Sequence, residues 1–274
     1  IHQTAYYVGV ILAGWLAGLI ADKLGWQYSF LIFGGVGVLW GILMIIRLDN
    51  KPAETSASAA ESKPGFLDGS RTVLTTPTAL VLTIGCSGLI FVISGFMTWV
   101  PAYLQEEFGQ TQAEAGFNSM FWTYVAAFIG VLLAGSLSDR LALKESKYRM
   151  YLQAFGLLCG AVFLSFMGGD SSLAIVYCCF AGWGLFRAFF DANTYSVLYD
   201  VTPERLHASC ASVMGMTGFA VGAFAPLILG CIKQSMGSLN SSFPILAIIW
   251  VGCGILMFVV AKISYKRDRE HVRN

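Results

Sequence analysis

Apolar residues gather along the chain into eight runs, most of them close to 20 residues long and separated by polar stretches. A run of about 20 apolar residues is what an α-helix needs to cross a hydrocarbon core of about 30 Å. The runs lack the alternation of membrane β-barrel strands, so they predict helices, which satisfy their own backbone polar groups in lipid. The predicted spans are residues 3–21, 29–46, 78–101, 117–137, 148–167, 173–198, 209–232 and 243–263.

The composition agrees with a membrane protein. Of the 274 residues, 56% are hydrophobic and 12% are charged, and the mean hydropathy is +0.67. Soluble domains carry roughly 25% charged and about 45–50% apolar residues, which makes a soluble fold a poor explanation. We therefore predict an all-α fold, a polytopic membrane helix bundle with eight transmembrane helices in a lipid bilayer. No nucleic-acid partner is predicted.

Basic residues sort to one side of the predicted membrane. Every second loop and the C-terminal tail carry most of them, namely Arg47, Lys51, Lys63, Arg71, Arg140, Lys144, Lys147, Arg149, Arg205, Lys262, Lys266, Arg267, Arg269 and Arg273. The opposite side carries only Lys23 and Lys233. Because Lys and Arg of short loops stay in the cytoplasm, both ends of the chain are predicted to be cytoplasmic, in a multi-pass protein of a bacterial inner membrane.

A polar segment separates the second predicted span from the third. Residues 49–70 include KPAETSASAAESKPG, which is rich in Ala, Ser and Pro and shows no apolar periodicity. Such a composition is typical of a linker, here on the cytoplasmic side. Two spans precede the linker and six follow it. If it joins two equal bundles, the first bundle therefore lacks four helices.

One basic residue lies inside an apolar run. Arg187 is followed four residues later by Asp191, which places both on one helical face. Isolated charges in lipid are costly, so both should point into the bundle or a watery cavity. Two interpretations stay open. Arg187 attracts an anionic substrate while Asp191 balances it or carries a proton, which we favour, or the two residues form a pair that only neutralises itself.

Further candidates for substrate contact share helical faces. Trp183 and Thr194 extend the face of Arg187, and the third span presents a polar and aromatic stripe that includes Phe91 and Ser94. Small polar residues in membrane helices often only hydrogen-bond between helices, so packing is an equal explanation for this stripe. The sequence shows no chemistry beyond binding. The seven cysteines lie in or beside apolar runs, and no HExxH or CxxC spacing occurs, so we predict no metal and no cofactor.

An enzymatic function is not predicted. A membrane enzyme needs a nucleophile, an acid–base pair or a metal cluster at one membrane face. Asp200, Glu204 and His207 cluster in a predicted cytoplasmic turn, but no nucleophile accompanies them. This cluster is therefore interpreted as a solvated loop.

One cytoplasmic turn carries a motif. Gly135-Ser-Leu-Ser-Asp139-Arg140, followed by Lys144, resembles the G-x-L-x-D-R motif of the major facilitator superfamily, found between helices 2 and 3 and again between helices 8 and 9. The resemblance implies that Gly135 allows close helix approach and that Asp139 faces the N-terminal end of helix 5, near residue 1. Arg140 and Lys144 would then pair across the turn and form a cytoplasmic gate. Ala142 stands where the family often has Gly.

The resemblance covers the whole chain. Residues 200–209, DVTPERLHAS, are similar to the family's turn between helices 10 and 11, with His207 where relatives commonly have Arg. A 12-helix fold is implied, entered at its fifth helix, with the first four helices missing. Residues 1–48 would hold the last two helices of the N-terminal six-helix bundle, residues 49–75 the linker, and residues 76–274 the C-terminal six-helix bundle with a cytoplasmic tail.

Cavity-lining helices of this family correspond to the first and fourth spans. Gln3 and Tyr7 share one face of the first, and Asn118 and Trp122 share one of the fourth; packing is the simpler explanation for these residues. The segments HQTAYYVG, GWQYSFLIFGG, MTWVPAYLQ and FRAFFDANTYSVLYDVTP look like the branch that takes up organic anions such as hexuronates and sugar phosphates.

The resemblance therefore implies a secondary active transporter of a small organic anion that works by alternating access. A proton or another ion would be coupled to the movement of the substrate. Two alternatives stay open. One is a receptor or scaffold that carries no flux, and the other is an exporter of neutral or drug-like solutes.

Overall fold

The computed structural model describes residues 2–47, 65–168, 172–240 and 242–273, and in these ranges the chain is helical without a β-strand. The α-helices are α1 (His2–Leu24), α2 (Trp26–Arg47), α3 (Phe66–Thr75), α4 (Pro77–Phe108), α5 (Gln112–Ala142), α6 (Tyr148–Ser165), α7 (Leu173–Asp191), α8 (Thr194–Asp200), α9 (His207–Gly222), α10 (Ala225–Met236), α11 (Ser242–Ile263) and α12 (Tyr265–Arg273). The predicted all-α fold is confirmed.

Helices occupy all eight predicted spans. Seven stretches of the described chain are long and apolar enough to cross a membrane. The remaining span, residues 148–167, forms α6, an 18-residue helix. Its first turns carry Arg149 and Gln153 and are less apolar for that reason. The helix α4 runs seven residues past the predicted end, to Phe108, because Pro101 lies inside the helix without ending it.

Two predicted spans are not continuous helices. Span 173–198 is divided into α7 and α8 by Ala192 and Asn193, and span 209–232 into α9 and α10 by Ala223 and Phe224. At the second break, Pro226 lies in the first turn of α10, where its missing N–H costs nothing. The first break lacks a proline and is held by side chains described below.

The end of the predicted linker is also helical. Residues 48–64 lie outside the described residues, but α3 begins at Phe66, so the last residues of the predicted linker are helical. The Asp68 carboxylate accepts a hydrogen bond of 3.0 Å from the backbone N–H of Gly65 and caps the helix. The division of the chain at residues 48 and 75 stays a prediction.

Glycines allow the central helices to pack closely. Gly184 of α7 lies directly against the carbonyl of Thr123 on α5, and Gly130 of α5 lies against the carbonyl of Leu185 on α7. A Cβ atom at Gly156 on α6 would come within 2.5 Å of a backbone oxygen of α7. Small residues at helix crossings are how membrane helices gain van der Waals contact. The helix α7 is therefore enclosed between α5 and α6.

The helix α1 crosses the N-terminal part of α5. A Cβ atom at Gly14 would lie 2.7 Å from the carbonyl oxygen of Gly116, and one at Gly116 would lie 2.6 Å from the carbonyl oxygen of Gly14. One turn further along α1, Gly18 lies equally close to the backbone of Ala113. The Asp22 carboxylate accepts a hydrogen bond of 3.2 Å from the N–H of Ala113, in the first turn of α5. We call this contact the α1–α5 seam.

Candidate functional site

The charged pair predicted in the sixth span lies inside the bundle, with Arg187 buried and Asp191 partly buried. Arg187 on α7 is 2% exposed, and its Nε lies 3.3 Å from Oδ2 of Asp191, one helical turn further along. Burying a guanidinium in lipid is tolerated when a counter-charge and polar or aromatic groups surround it. The predicted placement of both residues on one helical face is found in the structure.

Aromatic rings surround the guanidinium. Its central carbon lies 4.9 Å from the ring centroid of Tyr124 on α5 and 5.6 Å from that of Trp183 on α7. The ring of Tyr7 on α1 packs on Tyr124, with centroids 5.4 Å apart. Cations are attracted to the faces of aromatic rings, more strongly where water is excluded. Arg187, Asp191, Tyr124, Trp183 and Tyr7 therefore form one cluster from three helices, which we call the Arg187 cluster.

Trp183 joins this cluster to the core of the bundle. Its ring stacks on Phe96 of α4, with centroids 4.4 Å apart and planes 29° apart, and contacts Trp250 of α11 at 5.8 Å. Its indole N–H is buried and has no hydrogen-bond partner among the described residues. Buried donors normally have a partner, so this N–H is available to an oxygen atom of a bound molecule.

Other predicted contact residues lie elsewhere. Thr194 follows the break after α7, donates to the carbonyl of Phe190 at 2.8 Å and is within 3.4 Å of the amide of Gln153, so it points to α6. Trp122 lies on a different, exposed side of α5 from Tyr124 and stacks on Tyr177 at 5.4 Å. The structure therefore does not bring Thr194 and Trp122 into the Arg187 cluster.

The remaining predicted contacts are on α4 and α1. Phe91 belongs to the buried apolar core of the bundle. The Ser94 hydroxyl lies beside Gly222, at the break between α9 and α10, where a Cβ atom would be 3.1 Å away. Gln3 lies in α1, but its side chain is outside the described residues. None of these positions is shown to contact Arg187.

Sequence reasoning missed Tyr124. Its position could have marked it as a candidate. Tyrosines of membrane helices favour the two membrane–water interfaces, whereas Tyr124 lies near the middle of the 31-residue α5. The approach of α4 to the end of α7 was also not predictable from sequence: a Cβ atom at Gly85 would lie 3.2 Å from the ring of Phe190.

A second polar group holds the break between α7 and α8. The Ser138 hydroxyl of α5 donates to the side-chain oxygen of Asn193, whose amide nitrogen donates to the carbonyl of Phe189 at 3.0 Å. The Gln153 amide of α6 donates to the carbonyl of Phe190 at 3.3 Å. These side-chain bonds tie the break to α5 and α6, and the Phe190 carbonyl also accepts the backbone N–H of Asn193 at 3.1 Å. The polar groups at the break are thereby paired, as membrane interiors require.

The predicted gate turn is organised by a different basic residue. Arg149 lies 3.9 Å from Asp139 and 3.9 Å from Asp200, whereas Arg140 and Lys144 are exposed. Within the described residues, a Cβ atom at Gly135 would meet no atom within 4 Å. The close approach that the resemblance implies at Gly135 is therefore not seen among the described residues, and the role of Gly135 stays a prediction.

The C-terminal helix joins this ionic network. The Tyr265 hydroxyl of α12 donates to Asp200 at 2.8 Å. Burial and, to a smaller extent, the adjacent Asp200 carboxylate raise the pKa of Tyr265, so the hydroxyl stays protonated as a donor at any physiological pH. The contact predicted between Asp139 and the N-terminal end of α1 stays a prediction.

Comparison with known proteins decides the family. The profile described as Major Facilitator Superfamily matches residues 1–226. The chain belongs to this superfamily. A structural neighbour is a bacterial homologue of the human lysosomal transporter Spinster, solved in an inward-facing and occupied conformation. Its TM-score is 0.60 at 16% identity, over 96% of this chain and 67% of that one. At this identity the likeness shows the fold alone.

Several superfamily relatives carry transporter names. The D-galactonate transporter of Escherichia coli O6:H1 is 24% identical over 96% of this chain and 68% of its own length. The hexuronate transporter of Bacillus subtilis is 24% identical, over 86% and 58%. An MFS-type efflux pump of Mycolicibacterium smegmatis is 22% identical, over 92% and 59%. The chain thus spans 58–68% of the lengths of these relatives.

Membership of the superfamily confirms two predictions. The chain is a multi-pass membrane protein of a transporter family. This agrees with the seven stretches of its described residues that are long and apolar enough to cross a membrane. The family and these relatives are transporters rather than enzymes, so the prediction of no enzymatic function is also confirmed. The roles of individual residues in the Arg187 cluster and the gate turn stay predictions.

Proposed function

We propose that the chain belongs to a secondary transporter of small organic anions, with carboxylated or phosphorylated sugars as the substrate class. The observation that carries this proposal is the buried guanidinium of Arg187 inside a membrane-spanning helix. A fixed positive charge in a medium of low dielectric constant attracts an anion much more strongly than a charge in water. Relatives named for D-galactonate and hexuronates support the same class.

The pairing of Arg187 with Asp191 suggests how an ion could be coupled. When a substrate carboxylate binds Arg187, it competes with Asp191 for the same cation. Asp191 is then left partly buried with less counter-charge, and an uncompensated carboxylate in this environment is costly. Uptake of one proton neutralises it. We propose that proton and anion therefore bind together and that the transporter is a proton symporter.

Alternating access is the proposed mechanism. The α1–α5 seam joins the two predicted bundles, residues 1–48 and 76–274, and rocking of one bundle against the other would open and close it. The network of Asp139, Arg149, Asp200 and Tyr265 lies within the second bundle, where it would hold the cytoplasmic ends of α5, α6, α8 and α12 together during this movement. Because the relatives are longer, we propose that further helices of the N-terminal bundle complete the site.

Uptake into proteoliposomes tests the proposal. The full-length protein is reconstituted into proteoliposomes, and uptake of labelled hexuronates, aldonates and sugar phosphates is measured with and without an inward proton gradient. Empty liposomes serve as the control. We expect gradient-dependent uptake of at least one anion. Uptake that ignores the gradient would contradict proton symport. Absence of uptake across the panel, with efflux of neutral compounds, would favour export, as the relative named as an efflux pump suggests.

The proposed location is a bacterial inner membrane with both ends of the chain in the cytoplasm. The distribution of Lys and Arg supports this orientation. A green fluorescent protein fused after residue 274 should fluoresce, whereas alkaline phosphatase fused there should be inactive. Active phosphatase at this position would reverse the proposed orientation.

A further inference from the structure

The short helix α3 packs on α9 by one narrow face. A Cβ atom at Gly69 would lie 2.7 Å from the side chain of Ser209, and Val73, one turn later, is also buried. The thiol of Cys210 donates a weak hydrogen bond of 3.8 Å to the carbonyl of Gly69. Because Gly69 has no side chain, the two helices approach closely, and α3 is held in a fixed orientation against the bundle.

The rest of α3 is divided into an apolar and a polar stripe. Leu67 is 80% exposed and Leu74 is 66% exposed, and residues seven positions apart lie on the same side of a helix. Phe66 is exposed beside them. The other side of the helix carries Asp68, Thr72 and Thr75, and Arg71 lies at the border between this polar stripe and the leucines. A helix that presents one apolar and one polar stripe is typical of the membrane–water interface.

The cavities on the two sides of α3 have the same division. An apolar groove of about 560 Å³ is lined by Val73 and Leu74 together with Leu80, Ile84 and other residues of the spanning helices α4, α9 and α11. A polar cleft of about 500 Å³ on the other side is lined by Thr72 and Thr75 of α3 and by Arg267 and His271 of α12. The surroundings of α3 are therefore apolar on one side of the helix and polar on the other.

The position of α3 in the chain sets its depth in the membrane. Only Thr76 separates α3 from α4, the 32-residue helix that is long and apolar enough to cross the bilayer. The helix α3 must therefore lie where α4 enters the membrane. We propose that α3 is an interfacial helix, with Phe66, Leu67 and Leu74 against phospholipid acyl chains that also enter the apolar groove, and with Asp68, Thr72 and Thr75 facing water.

Spin labels test this placement in proteoliposomes. Cysteine is introduced singly as Leu67→Cys, Leu74→Cys, Thr72→Cys or Thr75→Cys in a background whose seven native cysteines are replaced by serine or alanine. We expect labels at positions 67 and 74 to collide more with oxygen, which concentrates in lipid, and labels at 72 and 75 to collide more with a water-soluble nickel chelate. This reversal between neighbouring positions is the result that a helix in the interface requires.

Two outcomes would overturn the proposal. If all four labels were reached by the nickel chelate, α3 would lie in water, and if the labels at 67 and 74 were reached by neither probe, another protein segment would cover this face. A second measurement keeps the native cysteines. A photoreactive benzoylphenylalanine at position 67 or 74 should form covalent adducts with phospholipid that mass spectrometry detects, whereas the same residue at position 75 should not. Equal adducts at 67 and 75 would also contradict the inference.

Discussion

Arg187 is the residue on which the proposed anion site depends. Replacing it, as Arg187→Gln, removes the charge and keeps a polar side chain of similar reach. Hydrogen bonds to charged groups contribute about 1.5–3 kcal/mol, so we expect the apparent affinity for a transported anion to fall by about tenfold or more. Initial rates of uptake at several substrate concentrations measure this change.

The double variant Arg187→Gln/Asp191→Asn separates the two interpretations of the pair. The single substitution leaves Asp191 as a partly buried carboxylate without its counter-charge, which by itself destabilises the site. The double substitution leaves two neutral polar groups. If Arg187 binds the anion, the double variant should fold and still fail to transport. Recovery of uptake would show that the pair only neutralises itself.

Asp268 of α12 caps the helix α4 at Thr78, 190 residues earlier in the chain. Its carboxylate accepts hydrogen bonds from the backbone N–H of Thr78 at 3.0 Å and from the Thr78 hydroxyl at 2.7 Å, in the first turn of α4. We expect Asp268→Ala to lower the free energy of unfolding by about 1–3 kcal/mol, because buried donors lose their acceptor. Thermal unfolding in detergent measures it. Thr78→Val keeps the backbone bond and should cost less; an equal loss would contradict the capping role.

The candidate site was predictable from sequence only where one helix contains the residues. The spacing of Trp183, Arg187 and Asp191 on α7 is enough to place them together. The same spacing placed Thr194 with them, but the helix breaks at Ala192 and Thr194 turns to α6. Tyr124 could not be assigned because its contact with Arg187 depends on how α5 packs against α7.

At the scale of the helices, apolar runs located every span but not its interruptions. Run length reports the cost of exposing backbone to lipid, which depends on the segment alone. The break at Asn193 depends on hydrogen bonds with α5 and α6, which no local pattern contains. The break before α10 could be predicted from the sequence, since Pro226 marks it. The helix α3 was missed because its ten residues are too few for a clear period.

Two glycines test the packing of these helices in opposite directions. Gly184 faces the carbonyl of Thr123 directly, so Gly184→Ala forces α5 and α7 apart and should destabilise the protein by about 1–3 kcal/mol. Gly215 on α9 has no described atom within 4 Å of a Cβ built there, so Gly215→Ala should be neutral or stabilise by up to about 1 kcal/mol through helix propensity. Thermal unfolding compares them. Equal effects would contradict the close packing of α5 and α7.

At the scale of the whole molecule, the α1–α5 seam joins the two parts that alternating access would separate. Gly14 and Gly116 meet through their backbones, and Asp22 binds the first turn of α5. Such a contact forms over a narrow range of distances, because neither glycine has a side chain that could extend across a gap. It is therefore suited to a closure that is either fully made or absent.

A wedge in the seam should stop the transport cycle without removing the binding site. The substitution Gly14→Leu places a side chain where the carbonyl of Gly116 lies, so the seam cannot close, and we expect substrate to bind while turnover is lost. Gly9→Leu on the same helix is the matched control, because no described atom lies within 4 Å of a Cβ at Gly9. Calorimetric binding and uptake into proteoliposomes are measured for both variants. Normal turnover by Gly14→Leu would show that the seam does not have to close during transport, and the proposed rocking of α1 against α5 would then be wrong.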